Sequence, residues 1–339
     1  TCPTRGNRCF RVSFAALTNG EKVTILSRME TTLVGILEYK ADRFPADVVS
    51  RLKGIPVEFM SLSDERVPSQ RGYRVVVDRL SFCYPFLKEI VKSLALTGTY
   101  VINNPFAASA TNKVVDATLG TRLGLAFPKT IVLPDRRAIQ ETDGLAAEPH
   151  LQRVADELGM PCVLKPFDGY AWQDVYVAKS VEELENLYLA LSGRHILVAQ
   201  KLIRFRDYFR AFCFDKSHVL FIRWVPKPLA MGQYLRCDPS VLRDFGDRLT
   251  GLTIRFNETL DLDVNVMEWC VDEEGQWWVI DAFNEVPDVY PEAFPPEYYS
   301  WIVDRFAACV KDKLNSNKKN STPFRSTPFH QTLTSSLPG

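Results

Sequence analysis

Residues 264–283 most constrain the fold of this chain, because two apolar runs here flank a short polar turn. The runs occupy residues 264–271 and 276–283, and the four residues between them read DEEG. Two apolar strands joined by a polar turn that contains glycine predict a β-hairpin. The rest of the chain is therefore interpreted around a sheet that contains this hairpin.

Three oxygen-bearing side chains interrupt the apolar hairpin. Glu268 lies on the first predicted strand, and Asp281 and Asn284 lie at the end of the second. A hairpin brings such distant residues side by side, and hard divalent cations such as Mg²⁺ select oxygen ligands. An unpaired carboxylate in an apolar strand is costly. The three residues therefore predict a metal site, and the alternative is a sheet edge with solvated acids.

The composition is that of an ordinary globular protein. The chain has 339 residues, of which 46% are apolar and 24% are charged, and this length suffices for two or three packed units. Lysine plus arginine equals aspartate plus glutamate at 41 each, so no overall field attracts nucleic acid or an anionic membrane. No apolar run in the sequence reaches the length of a membrane span.

The eight cysteines are scattered along the chain and form no CxxC pair. Four of them lie inside apolar runs and are predicted to be buried thiols, namely Cys83, Cys162, Cys213 and Cys270. Thiols used in this way are typical of a reducing compartment, so a cytoplasmic location is expected.

Residues 29–103 predict a first α/β domain. Runs with strand character alternate with helical patterns, which is typical of a parallel sheet covered by helices. The predicted strands cover residues 32–37, 55–60, 73–78 and 100–103, and the predicted helices cover 45–53 and 84–97. Arg79 follows the third strand, at the edge where such sheets bind ligands. It is interpreted either as a ligand for a substrate anion or as part of a surface salt bridge.

Two lysines stand out at the start of the second predicted unit, residues 104–314. Ser109 is predicted to cap a helix that runs to about Leu123 and carries Lys113 in its first turn. A cation there opposes the helix dipole, which hints at a bound anion. A short apolar strand delivers Lys165, and a lysine pointing in from such a strand needs an anionic partner.

The other elements of the second unit are assigned from their periodicity. Residues 135–149 are polar, contain glycine and proline, and predict a loop. Residues 239–260 carry apolar side chains at helical spacing and predict one continuous helix. The remaining predicted strands are 128–133, 162–164, 174–178, 196–200, 207–214 and 218–225, and the remaining helices are 151–158, 181–191 and 295–314.

Both ends of the chain lack a periodic apolar pattern. Residues 1–28 predict a loosely ordered extension, with a strand at 22–26 as the alternative. Residues 315–339 are polar and contain the near-repeat STPF at 321–324 and 326–329. Because such a segment buries little apolar surface, it predicts a disordered tail.

The order of these motifs resembles that of the ATP-grasp superfamily, over roughly residues 31–314. The matching positions are Lys113 in ATNK, Lys165 in VLKP, the hinge Gln200-Lys201-Leu202-Ile203, Asp207 and Arg210 in a D-x-x-R segment, Arg223, and Glu268, Asp281 and Asn284 on the hairpin. Within the superfamily the chain is similar to bacterial proteins of the glutathione synthetase and ribosomal-protein-S6-modifying type. The resemblance implies an N-terminal parallel α/β domain followed by two α+β subdomains that grip ATP.

The resemblance implies an ATP-dependent carboxylate–amine ligase that forms a carbon–nitrogen bond through an acylphosphate and releases ADP. Its partners would be ATP and a small-molecule or peptide carboxylate and amine, with neither nucleic acid nor a membrane involved. The implied roles are ATP binding by Lys113, Lys165, Gln200, Lys201, Leu202, Ile203 and Asp207, binding of the acylphosphate or substrate carboxylate by Arg210 and Arg223, and binding of Mg²⁺ (or Mn²⁺) by Glu268, Asp281 and Asn284.

The sequence departs from the superfamily pattern in two places. The loop at residues 167–174 has one glycine where several are usual, and two residues separate Asp281 from Asn284 where one is usual. The second departure leaves Asp281 or Glu285 to complete the metal pair, and the spacing from Glu268 favours Asp281. Two other functions remain open, namely an ATP-grasp kinase that makes a phosphoester and, favoured by the single-glycine loop, a nucleotide-binding protein without catalysis.

Overall fold

A computed structural model describes residues 34–40, 42–69, 71–169, 172–225, 234–243 and 245–323. The predicted extension at 1–28, its alternative strand at 22–26 and the part of the predicted tail beyond residue 323 lie outside the described residues. The division of the chain into four segments stays a prediction.

The N-terminal part is a four-stranded parallel sheet, as the alternating pattern predicts. Its elements in chain order are β1 (Val34–Leu37), α1 (Arg43–Arg51), β2 (Val57–Phe59), β3 (Val75–Asp78), α2 (Pro85–Leu96) and β4 (Tyr100–Ile102). The strand order is β2-β1-β3-β4, and every neighbouring pair is parallel. Strands β1, β3 and β4 are buried on both faces, which explains why β3 and β4 read as continuous apolar runs.

The central part is a four-stranded antiparallel sheet with helices on one side. Its elements are α3 (Pro105–Ala110), α4 (Lys113–Arg122), β5 (Thr130–Leu133), α5 (Arg136–Glu141), α6 (Leu151–Leu158), β6 (Cys162–Pro166), β7 (Tyr176–Ala178), α7 (Val181–Leu191) and β8 (Leu197–Lys201). The strand order is β5-β8-β6-β7. Leu158, Leu164 and Leu184 belong to the core that this sheet shares with α6 and α7.

The C-terminal part is a five-stranded antiparallel sheet that contains the predicted hairpin. Its elements are β9 (Phe205–Phe214), β10 (His218–Trp224), β11 (Tyr234–Leu235), α8 (Pro239–Leu242), α9 (Gly246–Thr259), β12 (Val264–Asp272), β13 (Trp277–Asp281), a 3₁₀ turn (Pro291–Ala293) and α10 (Pro296–Asn315). The strand order is β11-β10-β9-β12-β13. The hairpin prediction is therefore confirmed, with β12 and β13 as its two strands.

The long helix α10 joins the N-terminal and C-terminal sheets. It packs against α1, β3 and β9. Phe306 makes edge-to-face ring contacts with Phe44 on one side and Phe214 on the other. One apolar core therefore extends through both sheets, and a second core, around Phe256 and Trp269, lies on the opposite face of the C-terminal sheet.

Helix boundaries around residue 110 differ from the prediction. Ser109 is not a helix cap, because its hydroxyl donates to the carbonyl of Pro105 within α3 at 2.6 Å. The caps are Asn104 for α3 and Asn112 for α4, whose side chain accepts from the backbone of Val114 and Val115. Thr111 is extended and ends the first helix, so the predicted single helix is two.

Two further predictions are wrong. Residues 135–149 are not wholly a loop, because Asp135 accepts from the backbone N–H of Ala138 at 2.7 Å and caps the short helix α5. Residues 239–260 are not one helix, since α8 ends at Leu242 and α9 begins at Gly246. Glycine is a weak helix former and does not carry a helix across that turn.

Three of the four thiols predicted to be buried are buried, whereas Cys83 is half-buried. Among the described residues, no helix combines the length and the apolar content needed to cross a membrane.

Candidate active site

Lys113 is placed between the central and the C-terminal sheets. It is the first residue of α4, directly after the cap at Asn112. Its backbone N–H donates to the carbonyl of Phe167 at 3.0 Å, and its Nζ donates to the carbonyl of Gly169 at 2.6 Å. Nζ also lies 3.4 Å from Oδ2 of Asp281. One lysine therefore connects the loop after β6 with the end of the hairpin.

Lys165 enters the same region from β6. The residue is only 6% exposed, and it stands opposite Val198 of β8. Burial lowers the pKa of Lys165 to about 8, and the nearby charge of Lys113 lowers it further, whereas Asp281, Glu268 and Asp116 oppose the shift. Lys165 is thus a buried amine surrounded by three carboxyl groups.

Asp116 is a part of this site that sequence reasoning missed. It lies three residues after Lys113, on the same face of α4, and is 2% exposed. Its Oδ1 has no hydrogen-bond partner among the described residues. Burial, followed by the charge of Asp281, raises the pKa of Asp116 to about 8, while Lys113 and Lys165 oppose the shift. The only sequence signal is an acid one helical turn from a candidate lysine.

Glu268 lies in a buried network on β12. Its Oε1 accepts from Nε and Nη2 of Arg210 at 3.0 and 2.6 Å, and its Oε2 accepts from the Tyr208 hydroxyl at 2.6 Å. The Arg210 guanidinium lies 3.8 Å from the centre of the Trp224 ring and also donates to Tyr234. A carboxylate has about four acceptor positions, so roughly one remains free on Glu268.

Asp281 is the cross-strand partner of Glu268, as the spacing along the hairpin predicts. The pairing register shifts between Glu268 and Trp269, so Ile280 is an extra residue on β13 just before Asp281. The Asp281 side chain is 31% exposed. Two carboxylates thus stand side by side at one end of the C-terminal sheet.

Asn284 and Glu285 follow the hairpin and diverge. The backbone of Asn284 pairs with β12, accepting from Val266 N–H at 3.0 Å and donating to Asn265 Oδ1 at 2.8 Å. Glu285 instead hydrogen-bonds to Asn103, and burial, followed by the charge of Asp78, raises its pKa to about 8. Because Glu285 faces the N-terminal part, the geometry favours Asp281 as the partner of Glu268.

Asp207 and Arg223 lie on the face of the sheet opposite to Arg210. Arg223 stands opposite Phe209, whereas Arg210 stands opposite Ile222, and adjacent residues of a strand point to opposite faces. Nη2 of Arg223 forms an ion pair with Asp207 Oδ1 at 2.9 Å, and 48% of the Arg223 side chain is exposed. The structure therefore does not bring the two candidate arginines together.

The candidate hinge connects two sheets. Gln200 and Lys201 end β8 of the central sheet, and residues 202–204 lead directly into β9 of the C-terminal sheet. Gln200 is buried and donates from Nε2 to Thr130 Oγ1 at 2.8 Å. Ile203 packs against the core shared by the N-terminal and C-terminal sheets, and the Lys201 side chain is exposed.

Arg79 forms a buried ion pair rather than a surface one, and its role as a ligand for a substrate anion stays a prediction. Its Nε lies 2.6 Å from Glu38 Oε2, and both side chains are buried. Its Nη2 donates to the carbonyl of Pro287 at 3.2 Å, and its guanidinium lies 4.9 Å from the Phe44 ring centre. Arg79 therefore fastens the N-terminal sheet to the segment that follows the hairpin.

No cluster of three or more histidine, cysteine, aspartate or glutamate side chains suited to a metal occurs within the described part of the chain. The candidate metal residues are two carboxylates and one amide, Glu268, Asp281 and Asn284.

Comparison with known proteins identifies the fold. No protein-family model matches the sequence, and no curated protein matches it. The D-alanine–D-alanine ligase of Bacillus anthracis complexed with ATP superposes with a TM-score of 0.62 at 12% identity, covering 84% of this chain and 98% of the other. The ligase PsnB, complexed with a phosphomimetic variant of its minimal precursor, Mg and ADP, gives 0.58 at 15% identity, with 84% and 99% covered.

A third solved structure is a RimK domain protein from Sphaerobacter thermophilus DSM 20745, also an ATP-grasp protein. It gives a TM-score of 0.60 at 16% identity and covers 81% of this chain and 98% of the other. The chain has the ATP-grasp fold, and the match extends over nearly the whole length of each of these proteins.

Proposed function

We propose that this protein is an ATP-dependent carboxylate–amine ligase. The observation that carries the proposal is the convergence of Lys113 and Lys165 on the carboxylate pair of Glu268 and Asp281. The lysines come from the central part and the carboxylates from the C-terminal part. The likeness to ATP-grasp ligases supports the same conclusion at the level of the fold.

The two lysines fit the phosphates of ATP. Lys165 is buried with a depressed pKa, so a bound polyanion would favour its charged form more strongly than water does. Lys113 is held at the base of the loop after β6 by Phe167 and Gly169. Gln200, Lys201, Leu202 and Ile203 would contact the base from the hinge, and Asp207 lies at the start of the next sheet.

The donor set fits a hard divalent cation. Glu268, Asp281 and Asn284 offer oxygen atoms, and Asp116, a buried carboxyl with an unpartnered oxygen, lies in the same electrostatic environment. Glu268, Asp281 and Asn284 would hold Mg²⁺ or Mn²⁺, which when bound neutralises negative charge on the phosphates. Arg210 and Tyr208 fix the orientation of Glu268, so the carboxylate is positioned in advance.

The reaction is a phosphoryl transfer followed by an acyl transfer. A substrate carboxylate oxygen attacks the γ-phosphorus, the bond to the bridging oxygen of ADP breaks, and an acylphosphate forms. The amine nitrogen then attacks the acyl carbon, phosphate leaves, and the amine loses a proton. Positioning and charge neutralisation supply most of the rate in such reactions.

Arg210 is the arginine that the geometry supports for binding the acylphosphate. It lies on the same face as Glu268 and is held by Glu268, Tyr234 and Trp224. Arg223 is paired with Asp207 on the opposite face, so the geometry gives no support to a role for Arg223 in binding the acylphosphate. The substrate is an amino acid or a peptide, in line with the ligases that share the fold.

The test is product analysis after incubation of the protein with ATP, Mg²⁺ and a cell-metabolite extract. We expect a new amide together with ADP and phosphate, detected by mass spectrometry. Lys165→Ala should remove the product, whereas Lys129→Ala, which changes a half-exposed lysine paired with Glu157, should not. A phosphoester without an amide would instead identify a kinase, and ATP binding without any product would identify a non-catalytic nucleotide-binding protein.

A further inference from the structure

A second charged cavity lies beside the start of β12, whereas Glu268 lies in the middle of that strand. It has a volume of about 430 Å³ and is lined by four lysines and two aspartates. The lysines are Lys216, Lys313, Lys318 and Lys319. Asp263, which lies beneath the cavity, directly precedes β12. It is five residues from Glu268, which corresponds to roughly 16 Å of strand. The cavity is therefore separate from the candidate active site.

The acids of the cavity are already paired. Asp263 is buried, with Lys313 Nζ at 3.2 Å, Lys216 Nζ at 3.4 Å and the Tyr100 hydroxyl donating to it at 2.7 Å. Asp215 lies 2.5 Å from Lys313 Nζ, and Asp261 lies 2.5 Å from Lys216 Nζ. These contacts pair the two inner lysines with three aspartates, so this inner group carries one net negative charge.

Lys318 and Lys319 are different, because neither has an ion-pair partner among the described residues. Both line the cavity and are exposed at its mouth. The positive charge of the cavity therefore exceeds its negative charge, even when Asp263 is counted with the two lining aspartates.

The segment that carries these two lysines is fixed in place. The Asn320 side chain accepts from Val101 N–H at 2.7 Å and donates to the Val101 carbonyl at 2.8 Å. The Ser321 hydroxyl donates to Asp261 Oδ2 at 2.7 Å. The backbone that carries Lys318 and Lys319 is thus fixed beside the cavity, and two neighbouring ammonium groups can bind an oxyanion through charge-assisted hydrogen bonds.

We propose that this cavity is a binding site for a phosphate group, with Lys318 and Lys319 as its ligands and Lys216 behind them. The site does not depend on the ligase activity proposed above. A bound phosphate would connect the segment after α10 with β4 and with the start of β12, so it would reduce the exchange of backbone amides in residues 316–323.

The test is titration of the full-length protein with inorganic phosphate at constant ionic strength, followed by calorimetry and hydrogen exchange. We expect half-saturation at roughly millimolar phosphate, with slower exchange in residues 316–323. The double variant K318Q/K319Q should weaken binding by about tenfold or more. The matched double variant K53Q/K311Q removes two exposed lysines outside the cavity and should bind within about twofold of wild type.

Lys165→Ala separates this cavity from the candidate nucleotide site. Unchanged phosphate affinity in K165A together with loss in K318Q/K319Q supports the proposal. Equal affinity in wild type and K318Q/K319Q, or loss in K165A alone, overturns it. A parallel titration with glycerol phosphate distinguishes the source, because tighter binding of the monoester identifies a phosphorylated metabolite and equal binding identifies free phosphate.

Discussion

Glu268→Gln and Asp281→Asn should affect stability very differently, although the two residues face each other across the hairpin. Glu268 accepts two hydrogen bonds from Arg210 and one from Tyr208, and the Glu268 and Arg210 side chains are each 12% exposed. Breaking a buried ion pair on one side costs about 3–5 kcal/mol. The amide oxygen of glutamine still accepts from the guanidinium, so we expect the lower end, about 3 kcal/mol.

Asp281 has a weaker set of contacts. Its nearest cation is Lys113 Nζ at 3.4 Å, and its charge raises the pKa of the buried Asp116. Replacing Asp281 with asparagine removes both the attraction to Lys113 and the repulsion of Asp116. The two effects oppose each other, so the free energy of unfolding should change by about 0.5 kcal/mol or less. Stabilisation by Mg-ATP should nevertheless be lost, because a candidate metal ligand is removed.

Thermal and urea unfolding of both variants, with and without Mg-ATP, measure these differences. About 3 kcal/mol corresponds to a fall in Tm of roughly 6–12 °C for a domain of 150–250 residues. If the Glu268→Gln protein were as stable as the wild type, the ion pair of Glu268 with Arg210 would contribute nothing to the free energy of unfolding. An Asp281→Asn protein that is clearly destabilised but responds normally to Mg-ATP would move Asp281 out of the metal site and make Glu285 the candidate.

Three further predictions concern Lys165 and Asn320, which lies in the segment after α10. Mg-ATP should raise the Tm of the wild type in proportion to the logarithm of its concentration, and Lys165→Ala should abolish most of this shift while Lys129→Ala retains it. Burial lowers the pKa of Lys165 to about 8, so the unfolded state binds more protons between pH 8 and about 10.5. The contribution of Lys165 to the free energy of unfolding should therefore rise with pH across that window, whereas Mg-ATP affinity, measured by calorimetry, should fall as the lysine loses its charge. A pH-independent affinity would show that Lys165 does not contact the phosphates. Asn320→Ala should lower the free energy of unfolding by about 1–3 kcal/mol, since it leaves a buried backbone N–H and C=O of Val101 unpaired, and an unchanged urea midpoint would contradict this.

Local pattern was enough to predict most of the architecture. The strands of the N-terminal sheet and the hairpin follow from short apolar runs bounded by turns, and the facing of Glu268 with Asp281 follows from their spacing along the hairpin. The predicted helix boundary near residue 109 was wrong. The observed caps are Asn104 and Asn112, and apolar periodicity does not distinguish their positions from that of Ser109.

The parts of the site that depend on pairing between distant strands could not be predicted. Whether Arg210 and Arg223 share a face depends on the register between β9 and β10, which the sequence of either strand alone does not define. The ion pair of Arg79 with Glu38 joins residues 41 positions apart on neighbouring strands. Asp116 was missed because an acid on a helix is ordinarily solvated, and only the packing of α4 buries it.

The Asn320 amide has a consequence for how copies of this chain behave towards one another. β4 is the outer strand of the N-terminal sheet, and without the Asn320 side chain the N–H and C=O of Val101 would lie open on its outer side. An open edge of this kind is a template for strand pairing with a second molecule. By occupying both the N–H and the C=O of Val101, one side chain from beyond α10 blocks that template. A chain shortened before residue 320 should therefore aggregate at concentrations at which the 339-residue chain remains monodisperse.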